Sequence, residues 1–320
     1  MSYASHLRES YGLPVFDFPA SGDEKGLDLL PEADAVAWRV SSDTYDAEET
    51  WPEAFARFTE AVDTTRVRAI VVGAWEDAYD SGPGDIIAAL LAARPRLPAL
   101  RALFLGDMES EECEISWISQ GDVGPLLDGF PDLEEFGVRG GTGLVIPPFT
   151  HRRLRSLTVE TGGMPAEAVR GVAASDLPAL HSLDLWLGTA NYGGDCTAAD
   201  LEPILGGDRL PGLRHLGLRN SDIQDEIAAA VAAAPVVARL EALDLSMGVL
   251  TDEGGAALLG GQPLTHLAAL DLHHNYLSEP LRQRFRDTLE SAGVRLSLDP
   301  GNADEDEWDG RVWRFVAVGE

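Results

Sequence analysis

Leucine and other apolar residues recur along the chain in a short phrase of fixed spacing, Leu-x-x-Leu-x-Leu. The alternation of apolar and other residues in this phrase is typical of a β-strand with one buried face. The last four copies, from Leu213 to Val294, are each 27 residues apart, and such regular spacing predicts a structural repeat. Complete copies begin at Leu100, Leu180, Leu213, Leu240 and Leu267, and copies with other apolar residues in these positions begin at Val67, Leu133 and Leu154. An edge copy with a different spacing, with apolar residues at 294, 296 and 298, begins at Val294.

The phrases alternate with segments that have the spacing of apolar residues expected for a helix, as in residues 225–234, 252–259 and 279–292. A Ser, Thr or Asp stands before these segments, where it can cap a helix N-terminus. One repeat is therefore a strand, a turn and a helix. Because a single unit cannot bury its apolar side alone, the repeats must stack, with about nine parallel strands on one face and the helices on the other.

These copies resemble the leucine-rich-repeat family, in its ribonuclease-inhibitor-like type, over residues 65–298. The resemblance implies an α/β fold, a right-handed solenoid (horseshoe) with a parallel β-sheet on the concave face and helices on the convex face. Residues 12–18 and 314–320 are also similar to a bacterial cytosolic family of leucine-rich-repeat proteins. The repeat family usually has Asn or Cys three residues after the last Leu of the phrase, and here only Asn275 fits. Turns made possible by glycine are expected to replace it elsewhere.

The segments on either side of the repeats are expected to cover the exposed ends of the solenoid core. Residues 1–64 form the predicted N-terminal cap, and residues 299–320 the predicted C-terminal cap. The C-terminal cap has an acidic, turn-rich loop and an alternating run, which we expect to pair antiparallel against residues 294–298 as an edge strand. The N-terminal cap contains two strand-like phrases, residues 15–18 and 35–40, and an amphipathic helix-like run, residues 51–62.

Two repeats carry extra residues, which must form loops. The first insertion is 106–129, with an acidic run and Trp117, and the second is 188–200, with Tyr192 and Cys196. Loops of this kind often carry binding sites in scaffold proteins. A solvated connection without function is at least as good an interpretation of each.

Composition and charge narrow the possible functions. The 320 residues include 54 acidic and 24 basic side chains, for a formal charge of −30. This charge repels nucleic acid phosphates and anionic lipid head groups, so neither is an expected partner. Cys113 and Cys196 are far apart in sequence and form neither a disulfide framework nor a metal-ligand cluster. With no signal-like start and no long apolar stretch, the expected location is cytoplasmic.

The residues that alternate with the leucines of each phrase should face the concave surface in three columns. Large aromatic residues and arginine on a rigid sheet often dominate protein interfaces. We therefore expect Phe104 and Trp186 to be exposed and to contact a partner, although an isolated exposed aromatic side chain can also be ordinary surface. The candidate partner-binding residues are Phe104, Arg139, Asp184, Trp186, His215, Arg219, Asp244, Asp271 and His273.

Asp244 and Asp271 hold equivalent positions in neighbouring repeats, so they should lie roughly 5 Å apart, at a distance where their charges repel. A cation would relieve the repulsion. Internal pairing with Arg219 or His273 is the simplest source, a Lys or Arg of a bound protein is another, and a metal ion completed by His273 is a third. The adjacent His274 should point toward the turn, away from His273.

The sequence contains no nucleophile elbow, no phosphate-binding loop and no His-Glu-x-x-His motif. The leading hypothesis is therefore a non-enzymatic scaffold, without cofactor, that binds a protein or peptide with a basic patch through the concave sheet and the long loops. The alternative is a metal-binding or enzymatic accessory protein that uses Asp244, Asp271 and His273, with His215 nearby. A purely structural module is a third possibility, and the sequence leaves the oligomeric state open.

Overall fold

The computed structural model describes residues 4–303 and 305–319, without the side chain of Trp308. The positions of the two predicted caps at residues 1–3, 304 and 320 lie outside the described residues.

Twelve strands among the described residues form one sheet in which the spatial order of the strands equals their order in the sequence. The first pair is antiparallel, and every later pair is parallel. The strands are β1 (Glu9–Ser10), β2 (Leu13–Asp17), β3 (Ala37–Val40), β4 (Ala69–Val72), β5 (Ala102–Leu105), β6 (Glu135–Arg139), β7 (Ser156–Glu160), β8 (Ser182–Gly188), β9 (His215–Ser221), β10 (Ala242–Asp244), β11 (Ala269–Asp271) and β12 (Arg295–Ser297).

Equivalent positions of the repeat phrase lie side by side in this sheet. Ala242, for example, pairs with Ala269, and Asp244 pairs with Asp271. The nine strands predicted for residues 65–298 are confirmed as β4 to β12. The two strand-like phrases of the N-terminal segment are also strands, β2 and β3, and they extend the same parallel sheet.

Helices alternate with most of the strands, and neighbouring helices contact one another along the chain. The three segments predicted to be helical are confirmed, as is the run at residues 51–62. Thr50 and Glu53 form a capping box at the start of that helix, and the Ser278 hydroxyl accepts from the N–H of Leu281 at the start of the last one. The helices are α1 (Glu24–Leu27), α2 (Trp51–Ala61), α3 (Gly84–Ala93), α4 (Gly124–Gly129), α5 (Ala166–Ala174), α6 (Glu202–Gly206), α7 (Gln224–Val231), α8 (Asp252–Gly260) and α9 (Glu279–Leu289).

The main hydrophobic core lies between the sheet and the helices. The leucines of the repeat phrase, such as Leu216 and Leu218 on β9, are buried there together with helix residues such as Ile227. Burying one such side chain completely stabilises the fold by about 1.5–3 kcal/mol. The face of the sheet turned away from this core is called the concave face below.

Both predicted kinds of turn follow the strands, one with asparagine at the ladder position and one with glycine in its place. The Asn275 side chain donates to the carbonyl oxygens of Leu245 and Leu272 at 2.9 and 3.1 Å, as the ladder position predicts. At the equivalent position in the neighbouring part of the sheet, Gly188 is the last residue of β8. It has φ = 69°, and an added Cβ would clash with the backbone of Gly162. Glycine therefore allows a close approach of two backbones where asparagine is missing.

The prediction that the C-terminal run pairs with residues 294–298 is wrong. Strand β14 (Arg311–Trp313) instead pairs with β13 (Asp306–Trp308) in a separate hairpin. The two residues between them, Asp309 and Gly310, both have positive φ, 54° and 70°. An Asp-Gly pair favours this tight hairpin turn, so local pairing prevails over pairing with the sheet edge.

None of the helices in the described part of the chain is long and apolar enough to cross a membrane.

Candidate functional site

The predicted columns of the concave face are present as strand registers, because the residues of each column pair with one another from strand to strand. The middle column joins Asp184 on β8 to Gly217 on β9, then Asp244 on β10 and Asp271 on β11. The structure therefore brings the predicted acidic residues together on one surface. The accessibility of the columns, however, differs sharply between the two halves of the sheet.

The first half of the concave face is covered by the N-terminal arm, defined here as residues 4–11. Leu7 and Tyr11 pack against a separate apolar cluster that includes Val71 and Phe104. Phe104 is buried, so the expectation that it is exposed is wrong. Its ring lies over Gly137 of the neighbouring strand, where an added Cβ would clash with it.

Arg139 is also buried, with 2% of its surface exposed, so its expected position at an open interface is wrong. Its Nε donates to Glu160 at 2.7 Å, and its terminal nitrogens donate to the carbonyl oxygens of Met108 at 2.7 Å and Ser5 at 3.0 Å. The guanidinium therefore joins the sheet, the first insertion and the N-terminal arm. Its role is internal.

Asp107 completes this connection, although it is not one of the predicted site residues. Its fully buried carboxylate accepts from the N–H of Leu7 at 3.0 Å and from Arg39 at 2.7 Å, and it lies 3.5 Å from the His6 ring. Burial alone would raise the pKa of Asp107, but the contacts with His6 and the two arginines, Arg139 and Arg39, lower it below its usual value. The carboxylate is therefore ionised and holds the arm.

Trp186 is the second predicted aromatic contact that the structure buries, with 3% of its surface exposed. The Arg219 guanidinium lies over its ring at 5.0 Å from the centroid. The remaining surface of the Trp186 side chain is enclosed partly by the C-terminal tail, defined here as residues 314–319. The other members of this small apolar cluster are Ala4, Ile115, Met247, Val318 and the partly buried Ala317.

The second half of the concave face carries a charged surface that remains partly open. We call it the acidic patch, and it consists of Asp184, Asp244 and Asp271 with Arg219 and His273. Between 19 and 35% of each side chain is exposed.

Internal ion pairs organise the patch, as the simplest sequence interpretation predicts. Arg219 binds Asp184 through two nitrogens at 2.9 and 3.0 Å and reaches Asp244 at 3.1 Å. His273 pairs with Asp271 at 2.8 Å. Gly217 makes room for this arrangement, since an added Cβ would lie 2.6 Å from the Asp184 carboxylate.

Two pKa values in the patch are raised, each for a different physical reason. Burial raises the pKa of Asp184 to about 6, with Asp244 and Glu160 adding to the shift and Arg219 opposing it. The bond to Asp271 raises the pKa of His273. The patch therefore brings three carboxyl groups together with one guanidinium and one imidazole.

His215 and His274, the other two histidines considered in the sequence, do not join the acidic patch. His215 is exposed and lies 3.9 Å from Glu241. His274 is buried in the turn, as predicted, with φ = 46°. Across the described chain, no group of three or more His, Cys, Asp and Glu side chains is arranged to hold a metal ion.

The two insertions have structural contacts. In the first, Glu109 accepts from the backbone N–H of His6 at 3.1 Å, while Trp117 is 55% exposed. In the second, Asp195 accepts from the N–H of Ala166 at 2.6 Å, at the start of α5. At least part of each loop therefore serves to hold neighbouring segments.

The chain forms an α/β solenoid, with sequential strands in a long parallel sheet and helices between them, an arrangement consistent with the leucine-rich-repeat type. No protein-family model matches the chain, and no curated protein matches it. Among solved structures, the crystal structure of a Bacteroides fragilis protein from the Northeast Structural Genomics Consortium is similar to it. The TM-score is 0.74 at 27% identity, over 84% of this chain and 73% of that chain. The likeness supports the fold and provides a bacterial relative.

Proposed function

We propose that the protein is a non-enzymatic binding scaffold that holds a cationic segment of a partner protein against the acidic patch. We further propose that it is a cytoplasmic bacterial protein of the ribonuclease-inhibitor-like leucine-rich-repeat type. The binding hypothesis replaces the wider concave face of the sequence prediction with its second half, because Phe104, Arg139 and Trp186 are buried.

The observation that carries the proposal is the ratio of charges in the patch. Arg219 is shared between Asp184 and Asp244, and Asp271 pairs with the His273 ring. A Lys or Arg from a partner would supply the missing positive charge. It would meet carboxylates that the sheet already holds in place, so little side-chain entropy is lost on binding.

The partner chemistry follows from the charge of the whole chain. A protein with formal charge −30 attracts basic surfaces over long distances and orients them before contact. Association should weaken as salt rises, because the Debye length falls from roughly 30 Å at 0.01 M to about 10 Å at 0.1 M.

The test must separate binding at the patch from attraction to a generally acidic surface. The probe is a fluorescent hexapeptide of alternating arginine and serine, and its binding is followed by fluorescence anisotropy. The patch variant carries Asp244→Asn and Asp271→Asn, since asparagine retains an oxygen for the backbone bonds that both residues accept. The control carries Glu167→Gln and Glu253→Gln, which remove the same charge from exposed positions on α5 and α8.

We expect the patch variant to bind the probe roughly tenfold more weakly than the wild type, because two ion pairs of about 0.5–1 kcal/mol each are lost. The control should change the affinity less than about twofold. If both double variants weaken binding equally, the peptide recognises net charge alone and the proposal fails.

A further inference from the structure

The C-terminal tail lies in a groove along the carboxyl ends of the strands, where it is bound in the manner of an extended peptide. Tyr276 uses its hydroxyl both to accept from the N–H of Phe315 and to donate to its carbonyl oxygen, each at 2.9 Å. The N–H of Ala317 donates to the carbonyl oxygen of Met247 at 2.8 Å. The hydroxyl of Ser116 donates to the carbonyl oxygen of Gly319.

Asn220 forms the centre of this groove. Its side-chain oxygen accepts from the N–H of Val318 at 2.9 Å, and its amide nitrogen donates to the carbonyl oxygen of the same residue at 2.7 Å. Asn220 is fully buried and has φ = 54°, a conformation that asparagine adopts more readily than most residues. The side chain binds backbone groups only, so it accepts any extended segment that reaches it.

Side-chain selectivity arises at two adjoining positions of the tail. Val318 is 5% exposed in the apolar cluster around Trp186 and Met247. Gly319 follows it where the backbones come close: a Cβ on Gly162 would lie 2.5 Å from the Gly319 carbonyl oxygen, and one on Gly319 would lie 3.2 Å from the Tyr192 ring. The groove therefore fits an aliphatic residue followed by glycine.

Two polar groups on residues that contact the tail or adjoin such a residue in sequence are buried without a hydrogen-bond partner. They are the indole N–H of Trp186 and the hydroxyl of Ser246, which directly precedes Met247. Buried polar groups are nearly always satisfied in folded proteins, so the tail leaves binding capacity unused. A segment that supplies an acceptor here would gain bonds that the tail does not make.

The tail is joined to the repeats through the β13–β14 hairpin, which pairs only with itself among the described strands. Val312 and Trp313 on this hairpin are half exposed. The tail can therefore leave the groove without disturbing any strand pair of the main sheet.

We propose that this groove is a docking site for an extended segment of a partner protein in which an aliphatic residue is followed by glycine, and that the C-terminal tail is its resident competitor. The site is separate from the acidic patch and does not depend on the function proposed for it. Its residues are Ser116, Gly162, Trp186, Asn220, Met247 and Tyr276.

The test uses the full chain with a specific protease sequence inserted between Asp309 and Gly310, in the hairpin turn. Cleavage after folding turns the tail into a bound fragment that can exchange. The probe is a labelled peptide, Arg-Phe-Val-Ala-Val-Gly-Glu, and anisotropy measures its binding while mass spectrometry follows release of the fragment. We expect binding at about 10 μM or tighter to the cut protein, and at least tenfold weaker binding to the uncut protein, since a tethered tail competes at roughly millimolar effective concentration.

Probe variants test what the groove selects. Aspartate in place of Val318 should weaken binding at least about tenfold, because it places a charge among apolar side chains. Alanine in place of Gly319 should weaken binding at least about threefold, because its methyl group would lie 3.2 Å from the Tyr192 ring, which must then shift. Alanine in place of Phe315 should weaken binding of the probe less than about threefold, since that ring is 54% exposed. In the protein, Asn220→Gly keeps the backbone conformation and should weaken binding at least about tenfold. The control is Asn302→Gly at an exposed position.

Three results would overturn the proposal. One is a folded, cut protein whose fragment leaves but which binds no probe, and another is a fragment that never exchanges. The third is equal binding of all probe variants. If the uncut protein instead forms concentration-dependent dimers that Val318→Asp abolishes, the occupant is the tail of a second copy and the assignment to a partner protein is wrong.

Discussion

Replacing Arg139 with methionine tests whether this side chain is an internal connector, as the structure shows, or a surface contact. Methionine retains an unbranched apolar stem of similar reach and removes only the guanidinium. The change leaves the Glu160 carboxylate, whose side chain is 10% exposed, without its 2.7 Å partner. It also leaves the carbonyl oxygens of Met108 and Ser5 without the donors that Arg139 provides.

The expected loss in free energy of unfolding follows from the buried groups that Arg139→Met leaves unpaired. Removing one partner of a buried ion pair destabilises a protein by about 3–5 kcal/mol. Asp107 loses Arg139 at 3.4 Å but keeps Arg39 at 2.7 Å, so the lower end of this range, about 3 kcal/mol, applies. Adding Glu160→Gln removes the unpaired charge, and we expect it to restore about 1–2 kcal/mol.

Urea unfolding followed by circular dichroism measures this cost. With a slope of about 3 kcal/mol per molar urea, the unfolding midpoint should fall by about 1 M. Trypsin should also cleave faster after Arg8, because the arm loses its bond at Ser5. The matched control is Arg153→Met, which removes an arginine that is 60% exposed and pairs with Asp132. It should cost less than about 1 kcal/mol.

A midpoint for Arg139→Met that equals the wild-type value, with unchanged cleavage after Arg8, would refute the buried connection. Arg139 would then return to the set of surface contacts that the sequence predicts.

Three further predictions concern single groups. The contact with Asp107 raises the pKa of His6 above 6.5, so the protonated ring stabilises the fold below about pH 6.5, and this is lost as pH rises through the folded-state pKa. Urea unfolding should therefore show His6→Gln less stable than wild type by about 1 kcal/mol at pH 5.5 and equal to it at pH 9, and a constant difference would contradict this. Asn275→Ala should cost about 2–3 kcal/mol in thermal or urea unfolding because it leaves buried turn groups unpaired, whereas an unchanged midpoint would show that the turn stands without the ladder. Burial raises the pKa of the Cys113 thiol to about 11 and that of Cys196 to about 12, so iodoacetamide at pH 8 should label both at least about tenfold faster in urea than in the native protein, and equal rates would show that the thiols are accessible.

The repeat determined what could be predicted from the sequence. The spacing of the apolar phrase defined the nine strands between residues 65 and 298, and the equal positions of neighbouring phrases gave their register. The register in turn placed Asp244 beside Asp271 and within reach of Arg219. These inferences succeeded because each depends on contacts between adjacent repeats.

The covering of the concave face could not be predicted in this way, because the two terminal segments follow no repeat. The bond from Leu7 to Asp107 spans 100 residues of sequence, and the bonds between Asn220 and Val318 span 98. The sequence did contain weak signals that Arg139 and Phe104 are buried. Arg139 and Glu160 fall opposite each other in the predicted register, which favours an internal pair, and Phe104 falls beside Gly137, where nothing competes with the ring for space.

The position of β9 explains why the two proposed binding sites lie side by side. Arg219 and Asn220 are consecutive residues of this strand, and at Asn220 the backbone departs from the extended conformation, with φ = 54°. Arg219 faces the acidic patch and covers one side of the Trp186 ring, while Asn220 holds the tail whose Val318 packs in the same cluster as that ring. Trp186 is therefore the physical boundary between patch and groove.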